Sequence, residues 1–372
     1  MPAPLDPEHL TPAASLNRMR IMDLPGLALE DGIRGQLAFD LLSTGALVDL
    51  MRRDAARLGL TPGDLADSSH APRLLDRALW AGDLKIRVAA DAVAQCYGRR
   101  LAYLILTLKR GDAVNRAAHT DWDDSYWDHW AGITQVWLGG GLASGYVGAR
   151  VRRWAAESLR SAGLPDLGLH VGDYPAVLPL IGAARSVPRG SPAAVVVDFG
   201  QTTIKRAIAW YKHDALRTVQ CRDPLPSGFA DTGAELSAAE VAALGERMVA
   251  TFVEIWREIA EFEISPAPVL VASLAAYIRD NQPLARQGGP YSQLRLLAPN
   301  LGAWLSEQVS RRIGYAVAVR LIHDGTAAAR AYAGEPHTAV ITLGTALGIG
   351  FPPPARAVLP LTPNFDVIAR PF

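Results

Sequence analysis

The stretch Val195-Val196-Val197-Asp198-Phe199-Gly200-Gln201-Thr202-Thr203-Ile204-Lys205 constrains the fold of this chain more than any other. A continuous β-branched run predicts a buried strand. The carboxylate at its end, followed by glycine and hydroxyls, predicts a tight turn. Backbone N–H groups and an acid presented in this way suit the phosphates of a nucleotide and the metal that accompanies them. Lys205, two residues beyond Thr203, falls along the following strand and reads as a strand residue before a phosphate ligand.

At 372 residues the chain is long enough for two domains with cores of their own. Lys plus Arg and Asp plus Glu both number 37, so no global field favours a nucleic acid or an anionic membrane as partner. Cys96 and Cys221 stand alone, without the close ligand spacing of a zinc site, and read as reduced, buried thiols. The N-terminus lacks a basic segment followed by an apolar core, so no signal peptide is expected. The longest apolar candidate for a membrane span, Val88 to Leu108, is interrupted by Asp91, Arg99 and Arg100. These readings predict a cytoplasmic protein.

Residues 1–35 are punctuated by Pro and Gly and read as irregular. Helical spacing predicts helices over 36–58, 73–81, 85–108, 146–161 and 176–185, with short strands over 134–138 and 167–171. Ser186-Val187-Pro188-Arg189-Gly190-Ser191-Pro192 is the clearest boundary. Beyond it come strands at 193–198, 204–211 and 216–221, a meander. A long helix to Phe262 opens on Ser237 with Glu240 in a capping box. Strands at 268–272 and 316–322, helices at 301–313 and 324–333, and strands at 337–343 and from Gly348 complete an α/β pattern.

Three segments carry the chemistry: Asp198-x-Gly200-x-Thr202; Ile322-His323-Asp324-Gly325-Thr326; and Thr342-Leu343-Gly344-Thr345 leading to Gly348 and Gly350. Singly, each has an ordinary structural reading as a turn, a helix N-cap and a hairpin. In this order and spacing they resemble the actin/hexokinase (ASKHA) superfamily, and within it the ROK sugar kinases. The segment Pro299-Asn300-Leu301-Gly302-x-Trp304 is similar to that family's sugar segment. Val136-Trp137-Leu138-Gly139-Gly140-Gly141 resembles its adenosine motif, which here precedes the phosphate loop. The resemblance therefore implies a two-lobed, actin-like (ribonuclease H-like) ATPase fold in circularly permuted order. One lobe would take residues 1–186 plus 337–372 and the other 187–336.

On that resemblance the chain is an ATP-dependent kinase acting on a hydroxyl of a sugar or sugar-like small molecule. Asp324 matches the catalytic base. Asp198 matches the acid that holds Mg²⁺ through water. Gly200, Gln201, Thr202 and Thr203, with Gly344 and Thr345, would clamp the phosphates, and Gly139, Gly140 and Gly141 would admit adenosine. Asn300, His323 and Ser273 match substrate positions; His323, which stands where the family has Asn, reads equally as a hinge residue. ATP and Mg²⁺ are the expected cofactors, and zinc is not expected, because the family's zinc cysteines are absent around Asp31 to Gln36. Asn17, Arg18 and Arg20 stand where the family's sugar-binding Glu and His fall. That loss leaves open a second reading, a catalytically silent nucleotide- or sugar-binding sensor. The acidic-aromatic run Asp121 to Trp130 reads as a packing or homo-oligomer surface before a ligand site.

Overall fold

The computed structural model describes residues 5–228, 235–285 and 289–368. Its principal elements begin with helices α1 (Thr44–Arg53), α2 (Ala71–Leu79), α3 (Leu84–Arg110) and α4 (Asp124–Gly132). Strand β1 (Gln135–Gly139), helix α5 (Gly145–Ser161), strand β2 (Gly168–Val171) and helix α6 (Leu178–Ala184) follow. Next come β3 (Ala193–Phe199), β4 (Thr203–Lys212), β5 (Ala215–Pro226), α7 (Ala238–Ala260) and β6 (Val269–Leu274). The chain ends with α8 (Leu301–Ile313), β7 (Ala318–His323), α9 (Asp324–Arg330), β8 (Thr338–Thr342), β9 (Gly348–Gly350) and β10 (Leu361–Ile368). The architecture is mixed α/β with parallel strands, as the alternating pattern predicts. Among the described residues no helix is long and apolar enough to cross a membrane.

The chain divides into two compact units. The first comprises mainly residues 13–176 and 337–349. Its sheet has the order β9-β8-β1-β2, and β1 runs parallel to both β8 and β2. Helix α3 is capped by the Asp83 carboxylate, which accepts the Lys85 N–H, and ends on Gly111 in the left-handed region (φ 51°). It packs tightly on α5, since a Cβ at Gly98 would stand 2.8 Å from the Val151 carbonyl oxygen. The acidic-aromatic run serves packing: Trp122, Tyr126, Trp127 and Trp130 are buried, and the Trp122 indole N–H donates to the Ala13 carbonyl at 2.7 Å. Its first acid, Asp121, pairs with Arg18 at 2.7 Å.

The second unit is built around residues 177–336 and the residues from Gly350 onwards. Its six-stranded sheet has the order β7-β6-β3-β4-β5-β10. Strands β3, β4 and β5 form an antiparallel meander, and β6 and β7 extend it in parallel from the other side of β3. Strand period dictates the layers. Val195, Val197 and Phe199 face a core shared with Met248 and Phe252 of α7 and with Leu301 and Leu305 of α8. Helix α7 opens on the expected capping box of Ser237 and Glu240. Helix α6 packs on α9 so closely that a Cβ at Gly182 would lie 1.6 Å from the Ala327 carbonyl oxygen.

Four local expectations change. The helix expected over 36–58 is broken, because the Ser43 hydroxyl accepts the Ala46 N–H at 3.2 Å and starts a new helix. Helix α6 and the residues after Gly350, expected with the first lobe, belong to the second unit, where β10 pairs in parallel with β5. Cys96 is only half-buried, whereas burial pushes the buried Cys221 thiol up to about 11. Within residues 1–35, read as irregular, lie two short 3-10 turns, Pro12–Ala14 and Leu16–Arg18.

Gly182→Ala should lower stability by about 1–3 kcal/mol, because the added methyl meets a backbone carbonyl that neither helix can withdraw. A fall in the urea midpoint at unchanged slope would show it; an unchanged midpoint would contradict this packing.

Candidate functional site at the carboxyl edge of the sheet

The parallel strands β3, β6 and β7 end together. Asp198 on β3 lies opposite Ser273 on β6, which in turn lies opposite Ile322 on β7. Asp324 follows β7 directly as the first residue of α9. The two acids singled out by the sequence therefore share one sheet edge, on strands that are separated by β6 and so roughly 10 Å apart at standard strand spacing, with Asp324 two residues beyond the level of Asp198.

Asp198 is 2% exposed. A buried carboxylate requires donors, and its neighbours on both sides supply them. The Ser273 hydroxyl donates to Oδ1 at 2.8 Å, and the Lys205 ammonium lies 3.2 Å from Oδ2. Lys205 sits directly across from Asp198 in the β3–β4 register, so the two side chains share a face. The side chain of Lys205 is 24% exposed, which leaves this ion pair at the rim of the buried layer.

The turn after β3 is closed by the Gly200 N–H donating to the Thr203 carbonyl at 3.1 Å. A Cβ at Gly200 would crowd that oxygen at 2.8 Å. The Gly200 N–H is thus withdrawn from the phosphate cradle expected of residues 200–203. The other carbonyls of the turn are drawn back into the protein. Tyr291 donates its hydroxyl to the Gly200 carbonyl at 3.2 Å, and the Ser227 hydroxyl and N–H donate to the Gln201 and Thr202 carbonyls at 2.6 and 2.9 Å. Burial, with the Asp198 charge adding to it, pushes the Tyr291 phenol well above its usual range and keeps it a donor. In a trans peptide the carbonyl and the next N–H point in opposite directions. Anchoring the Gly200 and Gln201 carbonyls therefore aims the N–H groups of Gln201 and Thr202 away from Tyr291 and Ser227.

Asp324 opens α9 with its side chain partly exposed, and Oδ1 accepts the Gly325 N–H at 2.7 Å. His323 is buried and caps the helix, with Nδ1 accepting the Thr326 N–H at 3.3 Å. Two of the expected substrate positions have other work. Ser273 is fully buried and its hydroxyl donates to Asp198, which orients the acid. Asn300 is exposed and is the N-cap of α8, its side-chain oxygen accepting the Ala303 N–H at 2.8 Å.

In the first unit, the glycine turns after β1 and β8 lie side by side. Thr342 is the register partner of Gly139. Gly140, at φ 85°, lets the two turns touch, since a Cβ there would stand 2.2 Å from the Leu343 carbonyl oxygen. The Gly344 carbonyl accepts the Thr44 N–H at 2.8 Å, which aims the Thr345 N–H the other way. Asn17 grips Leu347 twice, donating to its carbonyl at 2.7 Å and accepting its N–H at 2.8 Å. Gly141, in contrast, faces open space. Beyond it, the start of α5 is occupied by Asp76, whose carboxylate accepts the Val147 N–H at 2.9 Å.

Among the described residues no three His, Cys, Asp or Glu side chains cluster as a metal cage. Asp198 fits a water-mediated hold on Mg²⁺ better than direct ligation, because each carboxylate oxygen already takes a donor and the side chain is 3% exposed. Two surface cavities, of about 660 and 500 Å³, are lined by Glu254, Arg257 and Glu258 and by Trp80, Leu84 and Tyr146, and neither includes Asp198 or Asp324. In comparison with known proteins, no family model matches the chain and no curated sequence matches it at a significant level.

Sequence reasoning missed Ser227 and Tyr291, which hold the turn from distant segments, and the pairing of Lys205 with Asp198. For Lys205 a signal was present: once the hairpin is drawn with Gly200 in the turn, cross-strand pairing places it opposite Asp198. A double-mutant cycle on Asp198→Asn and Lys205→Met should return a coupling of about 2–3 kcal/mol, with Lys205→Met alone the more damaging because it strands a buried charge. Additive effects in urea denaturation would show that the pair is not formed.

Proposed function

We propose that this protein is an ATP-dependent phosphotransferase acting on a hydroxyl of a sugar or sugar-like small molecule, a permuted, actin-like relative of the ROK kinases. The observation that carries the reading is the shared edge: Asp198 beside a glycine turn and Asp324 two strands away, both at the carboxyl ends of parallel strands. Open α/β sheets bind their ligands at that edge. The sheet that begins as a meander and continues in parallel strands supports an actin-like lobe, and the motif order along the chain supports the permutation.

In this reading the N–H groups of Gln201 and Thr202 would hold phosphate oxygens, and Asp198 would hold Mg²⁺ through water, the ion supplying positive charge against the phosphates. Gly344, Thr345 and Gly139 to Gly141 retain the phosphate and adenosine roles that the family resemblance gives them. Asp324 accepts the proton of the acceptor hydroxyl as its oxygen attacks the γ-phosphorus. The bond to the β-bridging oxygen breaks, and ADP leaves. Lys205 tempers the negative charge that Asp198 would otherwise present to the phosphates.

One observation favours the silent sensor as a second reading. Asn17, where the family's sugar-binding side chains are expected, is buried and committed to Leu347. An unrelated acceptor in place of glucose accounts for the same fact, and the shared sheet edge of Asp198 and Asp324 supports the enzyme as the first choice.

Asp324→Asn should reduce ADP release about 10²–10⁴-fold with ATP affinity unchanged, measured across a panel of polyols, sugars and amino sugars. ATP binding without turnover on any acceptor would favour the sensor, and absence of ATP binding would end both readings.

A further inference from the structure

The residue before the proposed base is a histidine used as a helix N-cap, an unusual choice. Asn, Asp, Ser and Thr cap helices better, and His is not among the favoured caps. A cap alone therefore does not account for His323. Its second nitrogen does more. Nδ1 accepts the Thr326 backbone N–H at 3.3 Å, so it carries no proton, and the Thr326 hydroxyl oxygen lies 3.2 Å from it. The neutral ring must then hold its proton on Nε2. That nitrogen lies 3.2 Å from Asp324 Oδ1. The ring plane is set from the side, stacked on Tyr277 with centroids 4.3 Å apart and planes within 15°. The ring is 7% exposed, so solvent does not compete for either nitrogen.

We infer that His323 is the positioning residue of Asp324: the helix cap selects its Nε2–H tautomer, and that proton, with the Gly325 N–H, fixes the rotation of the carboxylate. The Gly325 N–H donates to Oδ1 at 2.7 Å, and His323 Nε2 lies 3.2 Å from the same oxygen. A carboxylate whose rotation is fixed meets an acceptor hydroxyl in one orientation, which is what positioned proton transfer requires. The inference rests on the kinase reading for its consequence and not for its geometry. It also makes the Asn-to-His exchange relative to the ROK pattern a change in how the base is aimed, since an asparagine side chain can cap the helix but lacks a second ring nitrogen to reach Oδ1.

Two measurements on the full-length protein test it. The first is the ¹⁵N spectrum of the histidine-labelled wild type and of Asp324→Ala. The expected result is a single Nε2–H tautomer for His323 whose ring-proton signal shifts and exchanges faster in the variant. An Nδ1–H tautomer, or a signal indifferent to Asp324→Ala, overturns the inference. The second compares His323→Asn and His323→Ala in ADP release from Mg-ATP. His323→Asn, which keeps the cap, should retain the melting temperature and the KM for ATP while kcat falls about tenfold; His323→Ala should lose both stability and kcat. Wild-type kcat in His323→Asn overturns the positioning role. A wild-type protein that releases no ADP with any acceptor removes the kinase reading, and the tautomer measurement then decides the contact by itself.

Discussion

A carboxylate buried at the end of a central strand has to be answered by donors from the strands on either side, and in the second unit that demand organises the whole carboxyl edge. Asp198 takes the Ser273 hydroxyl from β6 and the Lys205 ammonium from β4. Each donor is placed by strand register and not by a flexible loop. Removing water from a charge costs several kcal/mol, and only well-directed partners offset it. Strand β6, which supplies Ser273, also sets the height of β7, and hence the position of Asp324. One desolvated charge thus ties the first proposed phosphate loop to the proposed base.

The glycine turns are held by a common device. Their carbonyls are claimed by donors from distant segments: Tyr291 and Ser227 for the turn after β3, Thr44 for the turn after β8. A loop with its carbonyls anchored is rigid and presents N–H groups on its other side, the polarity an anion needs. Small residues make the approach physical. Gly140 and Gly182 each admit a backbone carbonyl where a Cβ would collide with it. The helix beginning at Asp324 is only seven residues long, and its close seat against α6 gives it a stability that its length alone would not.

Most of the second unit was legible in the residues themselves. The apolar run of β3, the capping box of α7 and the abrupt strand-to-helix passage at Asp324 are local signals, and the structure follows each of them. What was not legible had no local signal. Strand β10 contains Pro363 and Asn364, poor strand formers; an edge strand tolerates them, and its register with β5 shifts between Leu361 and Asp366, the span that holds them. Ser273 sits at the end of a strand and reads as a polar residue reaching for ligand, yet burial turned it toward Asp198. The helix expected over 36–58 failed because a serine hydroxyl competes with the backbone for the same N–H groups, and periodicity does not register that competition.

The sequence by itself determined the elements, their alternation, and the placing of two acids and two glycine turns at strand ends, because period, branching and turn chemistry act over a few residues. Which groups those acids touch was decided only by the tertiary structure. Lys205, Ser273 and His323 are respectively seven residues, 75 residues and one residue from the acids they serve. Sequence separation carries no information about such contacts; strand register, burial and the direction of a ring nitrogen do.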